Sequence, residues 1–333
     1  MEAIKNRYEF AFLLAVKYAN PNGDPDMGNL PRMNPRTEMG FMTDASIKRR
    51  IRDYVELVYA GKPGMEICIE SGCNINRKIA EAVEAAGVVP TPKIKKDKAS
   101  SRVKACEMFY DVRTFGAVMS TGPNIGQIRG PVQISMAESI DPIEPMDLAI
   151  DRVCVAGGTK ECKTVADYKA WEDSDKNEER TMGRKAIIPF GLYKCTGHIS
   201  ANMAAQTGFS EDDLNVLFES ILHMYDQCRT SSKDSMHMVG PLVIFKHVGN
   251  DPNNPVQFEN ESRLGRAPAH KTLGLISVNR KSEVEVGSDY KDYDFMVNVS
   301  GRPNGVEVGF MMPYDGGRIV WNQQPDDDWV KVI

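Results

Sequence analysis

Tyr8-Glu-Phe-Ala-Phe-Leu-Leu-Ala-Val-Lys-Tyr18 is dense in aromatic and apolar residues and stops at Asn20-Pro-Asn-Gly-Asp-Pro-Asp26, a cluster of turn formers. Such a run predicts a buried strand that feeds a loop. Proline, glycine and asparagine continue to punctuate the chain as far as Met42. That is too dense for regular structure and long for a connection inside a compact domain, which marks a functional or a disordered segment. A helix follows: Thr43 or Asp44 can cap it, and Ile47, Ile51, Tyr54, Val55 and Val58 recur on one face. Lys48, Arg49 and Arg52 then look away from the apolar stripe.

A second helical pattern runs from Asn74 to Ala86 and ends at Gly87, ahead of a basic segment from Pro92 to Lys104, so residues 62–105 read as an insertion. Pro131 to Ser139 and Ile187 to Ala201 predict strands on either side of a long polar stretch carrying Gly157-Gly158. Residues 142–186 therefore read as a projecting, thumb-like hairpin. Glu211 to Cys228 is an amphipathic helix, with Ser210 as its cap and Asp213 three residues later, and Gly240 to His247 is a strand. The tail, residues 250–333, is a C-terminal elaboration with strand-like pieces at Asp294 to Ser300 and Val306 to Met312. Strand, helix, strand, strand, helix, strand is the order of a ferredoxin-like (RRM-like) α+β fold, a four-stranded antiparallel sheet backed by two helices. The expectation is a single palm domain over residues 1–333, elaborated by these insertions. No RNP-type aromatic pattern falls on the candidate strands, so an RNA would be held by backbone contacts and intercalated side chains rather than stacked on the sheet.

Composition bounds the function classes. Of 333 residues, 41% are hydrophobic and 26% charged, enough to bury a core. No run of about 18 apolar residues appears and no secretory cleavage pattern, so no membrane partner is expected and the location expected is cytoplasmic. Cys68, Cys73, Cys106, Cys154, Cys162, Cys195 and Cys228 show neither Cys-x-x-Cys nor zinc-ligand spacing. They read as reduced, mostly packing thiols, and no metal is expected. Net charge is −5, yet Lys93, Lys95, Lys96, Lys98, Arg102 and Lys104 face a single Asp97, and Lys48 to Arg52 holds four basic residues in five. Acid gathers elsewhere, at Glu172 to Glu179, Glu211 to Asp213 and Asp326 to Asp328. Opposed basic and acidic faces suit RNA binding and head-to-tail stacking of copies; solvated charge runs are the plain alternative.

Asn20 to Asp26, Thr43-Asp-Ala-Ser-Ile-Lys-Arg-Arg-Ile-Arg52, and Asp111-Val-Arg-Thr-Phe-Gly-Ala-Val-Met119 with Arg129-Gly-Pro-Val-Gln133 occur together and in this order. Thr181-Met-Gly-Arg-Lys185, Pro189-Phe-Gly-Leu-Tyr193, Ile244-Phe-Lys-His247 and Ala267-Pro-Ala-His-Lys271 complete the set. On these motifs the chain resembles, nearly end to end, the crRNA-binding "Cas-seven" backbone subunits of type I-C CRISPR Cascade (Csd type, RAMP superfamily). The resemblance implies an antiviral-defence protein, several copies of which oligomerise along one crRNA and present it for pairing with target DNA. It also implies other Cascade subunits and a recruited nuclease-helicase as partners, no cofactor, and no catalysis of its own.

Lys48, Arg49 and Arg52 have the spacing to grip successive phosphates; read alone they favour a solvated face, and the resemblance reverses the balance toward RNA. Arg32 and Arg36 in the preceding loop are second contributors. Arg113 and Arg129 suit a phosphate clamp, with Gln133 on the same face as Arg129, while Phe115 and Met119 read as core. At the end of the thumb Met182 is the candidate wedge between bases, with Arg184 and Lys185 on phosphates. Lys246, His247, Arg266, His270 and Lys271 form a last basic group, open between RNA and subunit contact. Asp24 and Asp26 raise a rival, a metal-dependent endoribonuclease like the type III backbone subunits, but Asn-Gly-Asp-Pro is also what a turn wants. A second rival is a scaffold that polymerises without RNA.

Overall fold

The computed structural model describes residues 2–91, 98–155, 159–174, 181–233, 235–314 and 316–322. The chain opens with β1 (Tyr8–Ala19), passes two short pieces, β2 (Gly23–Asp24) and β3 (Leu30–Pro31), then β4 (Met39–Met42), and enters α1 (Asp44–Val58). Thr43 caps α1 by accepting the Ser46 N–H. The next block contains α2 (Ile75–Ala85), α3 (Lys98–Met108) and α4 (Tyr110–Phe115), followed by a hairpin of β5 (Gly116–Met119) and β6 (Gly126–Arg129). β7 (Val132–Ile134) and β8 (Ala137–Pro142) join the main sheet. β9 (Met146–Arg152) and α5 (Val165–Glu172) lead to the 19-residue β10 (Thr181–Ile199). Then come α6 (Ala201–Thr207), α7 (Glu211–His223) and β11 (Met236–His247). The tail supplies α8 (Pro255–Leu264), α9 (Ala269–Leu273), β12 (Ile276–Arg280), β13 (Tyr293–Val297), β14 (Val306–Met311) and β15 (Ile319–Trp321).

Among the described residues the main sheet has nine strands, ordered β15-β14-β11-β1-β10-β8-β4, with β7 and β9 also paired to β10, and every pairing antiparallel. It is larger than the four strands expected, because the tail extends one edge with β14 and β15 and the loop after β1 extends the other with β4. Strand alternation sends Phe10, Phe12, Leu14 and Val16 of β1 to one face and Ala11, Leu13 and Ala15 to the other, and both sets are buried. The first face packs under α1 and α7 through Ile47, Ile51, Leu214, Leu217 and Phe218. The second lies under the tail, where Val243, Phe245, Val308 and Phe310 meet Tyr293, Phe295 and Val297. Covered on both sides, the centre of the sheet offers no open platform for stacked bases, unlike a bare RRM surface. Phe10 seats its ring over Gly197, its register partner in β10, where a Cβ would come within 2.1 Å of the ring.

A separate apolar cluster joins Ile79, Ala82 and Val83 of α2 with Ala105, Phe109, Val112, Met119 and Ile128. The described residues of 62–105 thus share their core with α4 and the β5–β6 hairpin. Phe115 and Met119 are buried. Three cysteines, Cys68, Cys106 and Cys195, are buried and Cys228 packs half-buried against the main core, so four of the seven are packing residues, while Cys154 is exposed and Cys73 and Cys162 are half-buried. β10 begins at Thr181, earlier than the expected Ile187, and pairs residue by residue with β9 from Thr181↔Arg152 to Ile187↔Met146. α7 stops at His223 rather than Cys228. Arg129 and Gln133 do not share a strand face: Arg129 closes β6 in a two-stranded sheet, whereas Gln133 lies in β7 of the main sheet. Gly130-Pro131 separates them.

Candidate nucleic-acid interface

Helix α1 carries its cations beside its buried stripe, not clear of it. Lys48 pairs with Asp44 at 2.9 Å and stands over the Phe115 ring, 5.6 Å from its centre. Arg52 lies 5.3 Å over the same ring and donates from Nε to Asp111 at 2.8 Å. The Asp111 carboxylate also takes the backbone N–H groups of Cys68 and Ile69, at 2.8 and 3.1 Å. Arg52 is therefore largely buried and charge-compensated. Arg49 pairs with Asp53 and donates to the Ile69 carbonyl. Phe115 runs into Gly116, whose register partner is Arg129, so Lys48, Arg52 and Arg129 bracket one short segment of backbone. Arg129 is exposed and has no acceptor among the described residues.

Two of the expected contacts are corrected by burial. Arg113 is 5% exposed, forks onto Asp213 at 3.0 and 2.7 Å, and donates to the carbonyls of Cys106 and Gly64. With its donors spent on protein oxygens inside the fold, it is a structural arginine. His247 is 0% exposed. Its Nδ1 accepts the Arg266 N–H at 2.9 Å, so Nε2 carries the proton that it donates to Glu9 at 2.7 Å. Burial alone would raise the Glu9 carboxyl, but the hydrogen bond from His247 and the charge of Arg7 outweigh it and hold the group below its ordinary 4.5. Signals for both buried pairs were missing from the local sequence, since Asp213 lies 100 residues from Arg113 and His247 lies 238 from Glu9.

The remaining candidates are spread over the surface. Arg32 donates to Asp24 at 3.2 Å, while Arg36 is exposed on the following turn. Asp24 also caps the turn at Pro25–Met27 by accepting the Asp26 N–H. That is the turn chemistry of the motif, and among the described residues no group of three or more His, Cys, Asp and Glu could hold a metal ion. Gln133 is exposed and donates to the Gly130 carbonyl. On the arm made by β9 and the start of β10, Met182 is 74% exposed, Arg184 pairs with Asp147 at 3.0 Å, and Lys185 donates to the Ser231 carbonyl. Lys246 stands over Trp321, Arg266 pairs with Glu261 at 2.7 Å, and His270 and Lys271 are exposed on α9. Lys93, Lys95 and Lys96 lie outside the described residues, as do Asp326 to Asp328. Sequence reasoning passed over Arg102 as one of a charge run; it reaches the first residues of β6 and donates to the Ile125 carbonyl at 3.3 Å.

Fold and surface together define an α+β protein with a covered sheet and accessible cations on its rim, an arrangement that suits an extended polyanion. A family model, that of the CRISPR-associated protein Cas7, matches residues 6–298, and the chain belongs to the Cas7 family. It is 24% identical over 233 residues to the CRISPR-associated protein Cas7 of Haloferax volcanii; the match takes in 64% of this chain and 62% of that relative's length, less than two thirds. A chain of the "CRISPR RNA-guided surveillance complex, pre-nicking" superposes over 79% of this chain and 83% of its own, at 13% identity and a TM-score of 0.43. Another, from a "CRISPR RNA-guided surveillance complex", does so over 79% and 77%, at 13% identity and a TM-score of 0.39. No described helix is long and apolar enough to cross a membrane.

Proposed function

We propose that the protein is a crRNA-binding backbone subunit of a CRISPR Cascade effector, of type I-C, copies of which line up along one guide RNA and hold it by its phosphates. Membership of the Cas7 family over residues 6–298 carries the reading. The placement of Arg129 opposite Gly116, next to the Phe115 whose ring Lys48 and Arg52 stand over, exposed and without an acceptor among the described residues, supports it. In this reading the palm is a ferredoxin-like core, consistent with β1-α1-β8-β10-α7-β11 as the order of its central elements, and the β9–β10 arm is the thumb. Residues 62–105 and 250–333 elaborate a single domain. The guide's bases stay available for target DNA, which carries the sequence information, while other Cascade subunits and a nuclease-helicase complete the complex in the cytoplasm. The protein binds and does not cut.

The test is to isolate the protein from its host and sequence the RNA that comes with it; the expected result is spacers flanked by repeat sequence, and random cellular RNA would refute the reading. Labelled RNA kept with the protein in Mg²⁺ or Mn²⁺ should stay intact. Cleavage lost in Asp24→Ala would instead establish the endoribonuclease, and filaments unchanged by RNase would establish the RNA-free scaffold.

A further inference from the structure

Between α3, β6 and the C-terminal end of α6 lies a cavity of about 470 Å³, walled by Arg102, Val103, Gln127, Arg129, Gln206 and Thr207 among others. Among the described residues no carboxylate lines it, in a chain with 46 acidic against 41 basic residues. Arg102 is steered in from α3 by its bond to the Ile125 carbonyl and lies against Gly126, where a Cβ would stand 3.5 Å from Nη1. Arg129 enters from the end of β6. Thr207 is 6% exposed, and its hydroxyl is buried with no partner among the described residues. Burial pushes the Cys106 thiol up to about 11, so this wall is neutral. Val103 is exposed and supplies an apolar side.

We propose that this cavity holds one nucleotide of the bound RNA, its phosphate between Arg102 and Arg129 and its base against Val103, within reach of the Gln127 and Gln206 amides. The proposal rests on the RNA-binding reading above and adds to it Gln127 and Gln206, which lie outside every motif that supported that reading, and a specific contact for Arg102, which entered it only as one charge of a basic run. Guanidinium forks match phosphate oxygens. Glutamine amides donate and accept, so they serve any base edge. The volume is within the range of small-ligand sites. The β6 hairpin and α3 would thereby contribute directly to guide binding.

The experiment follows a labelled single-stranded RNA by fluorescence anisotropy across a salt series, using the full chain. Gln127→Glu changes an exposed side chain with no hydrogen bond among the described residues, so it puts a negative charge at the cavity without disturbing the core. Arg102→Lys keeps the charge and loses the fork. Gln127→Glu should bind roughly tenfold more weakly, with a salt slope shallower by about 0.7, one phosphate's share for a single strand. Arg102→Lys should fall between it and the wild type, Lys291→Ala in the tail, at an exposed residue on the opposite side of the main sheet, should match the wild type, and all should melt at the wild-type temperature. Wild-type affinity and slope in both cavity variants would overturn the inference and leave the RNA-binding reading standing. A wild type that binds no RNA would remove that reading and the inference together. Inorganic phosphate that raises the wild-type melting temperature but not that of Gln127→Glu, with RNA binding equal in the two, would mark a free-anion site and also overturn the inference.

Discussion

Arg113 and Arg129 carry the same guanidinium into opposite surroundings. Arg113 is closed in against Asp213, and truncating one partner of a buried pair leaves the other charged and unsolvated, at a cost of about 3–5 kcal/mol. Arg113→Ala should therefore lower the denaturant midpoint of the free protein strongly. Arg129→Ala, at an exposed side chain, should leave stability within about 0.5 kcal/mol and appear in RNA affinity and salt slope. Read from sequence, the two arginines were alike, because the group that buries one of them comes from α7, far along the chain. Glu9 adds a pH dependence. Its carboxyl is lower in the folded protein than its ordinary 4.5, so the folded state gains from its ionisation above that value and loses the gain as pH falls through the lower, folded value. Unfolding midpoints measured from neutral pH down through 4.5 should drop on the acid side, and Glu9→Gln should flatten that limb while lowering stability at neutral pH, where Arg7 loses its partner.

The β5–β6 hairpin is the element that aims Arg129, and its geometry depends on two glycines. Gly116 has φ +78°, and a Cβ there would stand 2.4 Å from the Ile128 carbonyl oxygen; one on Gly130 would stand 2.2 Å from the Phe115 carbonyl carbon. These are backbone contacts that cannot swing aside. Gly130→Ala should therefore force the strands apart, shift Arg129, and weaken RNA binding more than Arg129→Ala does, with a lower melting temperature as the accompanying sign. Helices were the more legible elements. Ser210 with Asp213 and Asn74 with Ile79, Ala82 and Val83 announce α7 and α2 through caps and 3.6-residue spacing. β9 and the first part of β10 were not legible, since Asp147, Asp151, Gly183, Arg184 and Lys185 interrupt the apolar pattern in strands that stand away from the core.

That arm bears on the assembly as a whole. Register places Met146 beside Ile187, Leu148 beside Lys185 and Ile150 beside Gly183, so Met146, Leu148 and Ile150 form a stripe on one face, and all three are exposed. Partners directly opposite in an antiparallel pair share a face, and glycine opposite Ile150 leaves that side chain uncovered. An apolar stripe on a projecting ribbon is expensive to keep in water. Under the backbone reading it is covered when copies stand next to one another on RNA. Leu148→Asp and Ile150→Asp together should leave binding to an RNA long enough for one copy unchanged, because no phosphate contact is removed. On longer RNA the same pair should abolish the stepwise growth of complexes seen by native electrophoresis or mass photometry. Steps of wild-type size and spacing in the double variant would show that the stripe plays no part in joining the copies, and would leave the single-copy grip on RNA intact.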